Sequence, residues 1–202
     1  QKQILKTDDM KTSINILIIA ALFSGCQPKG TSNTEQTAEI SDTNYRHIGD
    51  SITLRAQQTL VNQVLSAIGE GGAAHAVTFC SLNAGPITDS LSDYYAAKIQ
   101  RISSLNRNSG NTPATETDSQ MLAYFSTAAL QQKDTVIHVG KSVLYYKPIR
   151  IGMTACLQCH GDTKKDIAPE TLALLQEKYP QDKAIGYKLG DFRGLWKLTL
   201  QE

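Results

Sequence analysis

Cysteine is scarce in this chain. Four occur among 202 residues, at Cys26, Cys80, Cys156 and Cys159, too few for the disulfide framework of a small secreted scaffold. Each therefore needs its own explanation. An excess of either charge is also missing, since twenty Lys and Arg face nineteen Asp and Glu. That balance argues against a nucleic-acid partner and against electrostatic attraction to a membrane surface. No apolar run approaches the ~20 residues that cross a bilayer, and no internal repeat is visible. What is present, with 41% hydrophobic residues, suffices for one folded core with accessory segments.

The first accessory segment is an address. Met10-Lys11 opens a short positive region, and an unbroken apolar stretch, Ile16 to Phe23, leads to Ser24-Gly25-Cys26. Its length suits the core of an export signal. Small residues directly before a cysteine resemble a lipobox, where the cysteine is acylated and becomes the first residue of the mature chain. We expect residues 1–25 to be a signal peptide with its natural start at Met10, and Cys26 to be lipidated. A plain secretory signal cut near Gly25 is the competing reading. Residues 26–44 are polar and poor in large side chains. They bury too little to offset the entropy of ordering, so we read them as a lipidated tether before a domain spanning 45–202.

The domain opens on helical periodicity. Ile48, Ile52, Ala56, Leu60, Val64 and Ile68 recur every four residues, one apolar helix face, and Gly69, Gly71 and Gly72 end it. Val77, Cys80, Ala84, Ile87 and Leu91 form a second face. Gly85-Pro86 predicts a stop there, with a new helix starting at Pro86. Lys98–Ser104 reads as a strand, Asn106–Pro113 as a loop, and Thr117-Asp118-Ser119 as the cap of a helix through Leu130. Then the period changes. Thr135–Val139 and Ser142–Ile149 read as a hairpin around Gly140-Lys141. Glu170–Lys178 reads as a helix, and Ala184–Leu189 with Phe192–Leu200 as a second strand pair. The sum is an α+β domain: helices first, then about five antiparallel strands with helical insertions.

The chemistry is carried by Cys156-Leu157-Gln158-Cys159-His160. Two thiols at this spacing can each form a thioether with one vinyl group of a single haem. The adjacent imidazole then lies beneath the iron. A redox dithiol is the rival reading, but that type expects the pair at a helix start after a βα unit. Half a zinc site would need further ligands close by, and the sequence offers none. We expect haem c, with Cys156, Cys159 and His160 holding it.

For the opposite face of the iron, the residues alone leave several candidates: Cys80, His75, His138, His47, Met121 and Met153. Met153 stands three residues before the motif, too close to loop around the ring. Met121 falls on a helix face that suits core, His138 on a strand, and His47 on an exposed helix position. Cys80 sits in the apolar stripe with Val77 and Ala84, where a cysteine can equally be a small buried hydrophobe. Haem propionates need cationic partners, and Arg101, Arg107, Arg150 and Arg193 lie near the motifs. Tyr146 and Trp196 are candidates to pack on the ring or to serve as ordinary sheet core.

Four stretches, Ala76–Pro86, Lys98–Pro113, Tyr145–Asp162 and Ala184–Leu200, together resemble the PAS-like c-type haem domains long catalogued as a domain of unknown function. Those domains occur alone or as the sensing part of bacterial signalling proteins. The resemblance covers nearly all of residues 45–200. It implies a PAS-like antiparallel sheet with long N-terminal helices, and a haem iron ligated by His160 and by Cys80. One departure stands out: the family's Arg-Asn-Pro-x-Asn-x-Pro loop has Ser109 in place of its first proline.

A cysteine thiolate opposite His160 would stabilise ferric iron and lower the reduction potential. With both axial positions filled, substrate could not reach the iron, so an enzyme is disfavoured. We expect a cell-envelope protein, tethered by lipid alone and facing the periplasm from the outer rather than the inner membrane. It would act in low-potential electron transfer or as a redox or gas sensor. No output module is legible in these residues, so either role requires a separate redox or signalling partner protein. The alternative is a peroxidase-like haem enzyme that works after losing an axial ligand.

Overall fold

The computed structural model describes residues 33–128 and 132–201. The expected signal segment and Cys26 lie outside the described residues. Chain order is α1 (Asn33–Tyr95), β1 (Lys98–Ile102), a 3-10 turn (Ser109–Asn111), α2 (Glu116–Thr127), β2 (Thr135–Val139), β3 (Ser142–Arg150), α3 (Thr154–His160), α4 (Pro169–Lys178) and β4 (Phe192–Gln201). The fold is the α+β, PAS-like arrangement expected.

Straight, a helix as long as α1 would reach about 95 Å, and Ile52 and Leu91 could not meet. They pack on one core cluster, so the helix doubles back. The turn is at Gly71 and Gly72, where the backbone leaves helical values and Gly72 takes φ +75°, a left-handed conformation that favours glycine. The N-terminal arm starts at Asn33, ahead of the expected boundary at 45. Its early turns are tied to β2 and to the residue before it: His138 Nε2 lies 2.7 Å from Asp42 Oδ1, and Arg46 pairs with Asp134.

The helix does not stop at Gly85-Pro86, as the sequence predicted; it runs through to Tyr95. Gly85 has no Cβ to meet the proline ring, the clash that usually drives a pre-proline residue out of the helix. Pro86 deprives the Leu82 carbonyl of its helical donor. Leu82 is 69% exposed, which places that turn at the solvent surface, where water can serve the carbonyl.

The sheet is antiparallel, in the order β1-β4-β3-β2, with Arg101 opposite Trp196 and Tyr145 opposite Leu198. Side chains alternate between its two faces. Ile99, Val143, Tyr145, Trp196 and Leu198 meet α1 on one face. Ile102, Tyr146 and Leu195 meet Leu122 and Phe125 of α2 on the other. Tyr145 presses so closely on α1 that a Cβ on Gly49 would lie 2.4 Å from its ring. Tyr146 and Trp196 are therefore sheet core.

Four strands form among the described residues, where about five were expected. Ala184–Leu189 is irregular. The N–H groups of Gly186 and Tyr187 both turn to the end of α3, onto the Gly161 and His160 carbonyls at 2.8 and 2.9 Å. Consecutive donors aimed the same way cannot feed a strand ladder, whose donors alternate. The segment is a strap.

Candidate functional site

α3 is a seven-residue helix on which Cys156, Cys159 and His160 are spaced i, i+3 and i+4, and so share one side. Gly161 closes it, donating to the Leu157 carbonyl at 2.8 Å. None of its residues is fully buried. Its position depends on neighbours: the strap holds its C-terminus, Cys156 packs beside Ile151 and Ala184, and Cys159 packs beside Val77 and Ile167.

These three side chains open on a cavity of about 270 Å³, close to the lower end of the roughly 300–1,000 Å³ typical of ligand pockets. The N-terminal arm of α1 contributes Leu60, Val64 and Ile68, and the C-terminal arm contributes Val77, Cys80 and Ala84. Arg101, Arg107, Arg150 and Arg193 all line it. The walls are thus apolar with cationic groups among them.

Of the six candidates for the far side of the iron, only Cys80 and Met153 line this cavity. Met153 caps α3 itself, so it stands on the same wall as His160. Cys80 comes from α1. His75 is exposed beside Glu70 at 3.6 Å, His47 is exposed, and His138 is engaged with Asp42 and Tyr45. Met121 packs against the α2 cluster.

His160 has a defined tautomer. Its Nδ1 lies 2.8 Å from the Ala184 carbonyl oxygen, which can only accept, so the proton sits on Nδ1 and Nε2 keeps its lone pair. Burial holds the imidazole well below its ordinary pKa, and the Arg107 and Arg193 charges add to this against the Ala184 hydrogen bond. The neutral ring is the form that can ligate a metal. Burial also raises the Cys80 thiol, against the pull of Arg101 and Arg107. Cys159 is raised by burial first, with Arg107 opposing and the neighbouring Cys80 adding.

The arginines differ in what they already hold. Arg107 is bound to Asp182 and to the carbonyls of Cys159 and Ala184. Arg193 bonds Ser103 Oγ and the Leu105 carbonyl, both at 3.0 Å, and Arg150 bonds the Gly190 carbonyl at 3.3 Å. Among the described residues Arg101 has no hydrogen-bond acceptor; its guanidinium lies 6.0 Å above the Trp196 ring.

Sequence reasoning missed Asn106, Asp182 and Ala184. Asn106 is buried and bonds the Asn108 carbonyl and Thr112 Oγ1 at 3.0 and 2.9 Å. It orders the loop that lacks the family's first proline, and Asn108 caps the 3-10 turn beginning at Ser109. Asp182 and Ala184 act through one carboxylate and one backbone carbonyl. A strap that serves through its backbone carries no motif.

Among the described residues no group of three or more His, Cys, Asp or Glu could hold a metal ion, and no helix is long and apolar enough to cross a membrane. No curated protein matches the chain. Among solved structures it is similar to the cyanobacterial heme-protein Tll0287, with a TM-score of 0.60 and 21% identity over 85% of this chain and 98% of that one; the likeness is one of fold. A family model described as Tll0287-like matches residues 28–200, and the chain belongs to that family.

Proposed function

We propose that this chain is a c-type haem protein of the cell envelope, with a low-potential one-electron role. One observation carries the reading. Two thiols, an imidazole with its Nε2 lone pair available and a third thiol from a separate element converge on one apolar cavity whose walls carry four arginines. The description of the structural relative as a heme-protein supports it.

The cavity suits the group. Its apolar walls match a macrocycle, and Arg101 is the cation best placed to take a carboxylate tail. Cys156 and Cys159 would each add across one vinyl group, sulfur to one carbon and hydrogen to the next, without any net oxidant. His160 would offer Nε2, with its ring fixed through Nδ1. Cys80 would offer a sulfur from α1; burial raises its thiol, and Arg101 and Arg107 only partly offset this. A haem supplies one-electron iron chemistry when bound. Were both His160 and Cys80 to bind the iron, no position would stay open, which supports an electron carrier or redox sensor over an enzyme. Lipidation at Cys26 and a periplasm-facing location belong to the same reading and rest on the export signal and lipobox.

The test is to mature the protein in a periplasm and denature it. Haem should stay with the polypeptide; if it extracts, the reading fails. Cys80→Ala should alter the ferric spectrum, raise the reduction potential and admit carbon monoxide. An unchanged spectrum removes Cys80 from the iron.

A further inference from the structure

The sequence placed Arg107 among the candidates for holding carboxylate tails. Its hydrogen bonds give it other work. Nε donates to Asp182 Oδ2 at 3.0 Å. The two hydrogens of Nη2 go to the carbonyls of Cys159 and Ala184, the latter at 3.1 Å. The side chain is only 13% exposed. Asp182 is fixed in turn, its Oδ1 accepting from the Ala184 N–H at 2.8 Å. The guanidinium brackets the end of α3 to the strap.

The Ala184 carbonyl therefore receives two donors, Arg107 Nη2 and His160 Nδ1. Its two lone pairs can serve both. A cationic donor, however, draws electron density from the oxygen and weakens what it offers the second donor. The partner of Nδ1–H orients a ligating histidine and sets its basicity. A stronger bond at Nδ1 moves the ring toward imidazolate and makes Nε2 the better electron donor.

We propose that Arg107 is a positioning residue that tunes His160: by sharing the Ala184 carbonyl, it fixes the imidazole and restrains electron donation from Nε2. This rests on the reading of His160 as an iron ligand. Without Arg107, the carbonyl accepts fully from Nδ1–H and His160 donates more strongly. The ferric state then gains.

The experiment uses the haem-loaded protein and its Arg107→Gln and Arg107→Lys variants. Three quantities are measured: the reduction equilibrium, the His160 Nδ1–H proton resonance in the ferrous low-spin state, and the denaturation midpoint. Covalent haem is checked first in the unsubstituted protein; its absence there would sink the functional reading rather than this one. Arg107→Gln should shift the reduction equilibrium about tenfold toward ferric, which is ~59 mV for one electron, and move the Nδ1–H resonance downfield. Arg107→Lys keeps the charge without the fork and should fall between. A lower potential with an unmoved resonance overturns the proposal, because charge loss alone explains it. So does lower stability with both readouts unchanged, which leaves Arg107 a structural brace. Should Arg107→Gln fail to fold, Arg107→Lys decides by the same two readouts.

Discussion

Asp118 is a charge sealed behind the sheet, on the face away from the cavity. It sits at the third position of α2, where it completes a capping box with Thr115. Lys197 Nζ lies 2.7 and 3.0 Å from its two oxygens, and the Tyr146 hydroxyl donates at 2.7 Å. Burial pushes its pKa up, but hydrogen bonds from Lys197, Tyr146 and the Ala114 N–H, with the Lys197 charge, outweigh it and hold the carboxyl below its usual value. A depressed carboxylate contributes stability that is complete above its unfolded pKa of about 3.9 and is lost as pH falls through the folded value. Stability should therefore decline below about pH 4, and Asp118→Ala should remove that component of the decline. The same substitution strands the Lys197 ammonium, so a loss of about 3–5 kcal/mol is expected in denaturant unfolding. The sequence showed Asp118 as a cap and gave no sign of its burial, because its partners lie in β3 and β4.

At the scale of elements, the α1 turn makes one substitution take opposite signs three residues apart. Gly69 is helical, and a Cβ there meets nothing within 4 Å. Gly69→Ala should stabilise by about 0.5–1 kcal/mol. Gly72 holds φ +75°, and Gly72→Ala should cost about 1–2 kcal/mol. Thermal melting should separate the two variants in midpoint; equal midpoints would deny the left-handed turn. These elements were legible where one local rule governs. Helical periodicity, in steps of four for the first arm and of three and four for the second, located both arms, the glycines located the turn, and Gly140-Lys141 located the β2–β3 hairpin. The errors came where a neighbour decides. Pro86 reads as a breaker, but Gly85 removes the clash. Ala184–Leu189 reads as a strand, but α3 captures its donors. Of the site, the motif on α3 was plain from spacing, while the apolar stripe left Cys80 open and only the family resemblance singled it out. The Arg107–Asp182–Ala184 bracket was invisible, since it exists only once three distant segments meet.

For the whole molecule, the site is a joint between α1, α3 and the strap. α3 has no fully buried residue, while the sheet packs apolar side chains on both faces. A group bound to α3 and to Cys80 would clamp α3 against α1, and ligand binding raises the stability of whatever it bridges. In the haem-free Cys156→Ser/Cys159→Ser variant, amide hydrogen exchange should quicken in residues 76–84 and 154–160, with β3 and β4 staying protected. Uniform quickening would mean that the group supports the entire fold instead. The strand order has a further consequence, for timing. β4 lies between β1 and β3 yet follows every other described element in the chain. Until it arrives β1 has no strand partner and β3 is paired only with β2, and such long-range pairing is slow. The Cys156–His160 motif precedes β4 in the chain, so it is made before the sheet can close. On this order of events, the thioether attachment proposed above would meet an open chain, and the cavity would be built around its contents rather than filled afterwards.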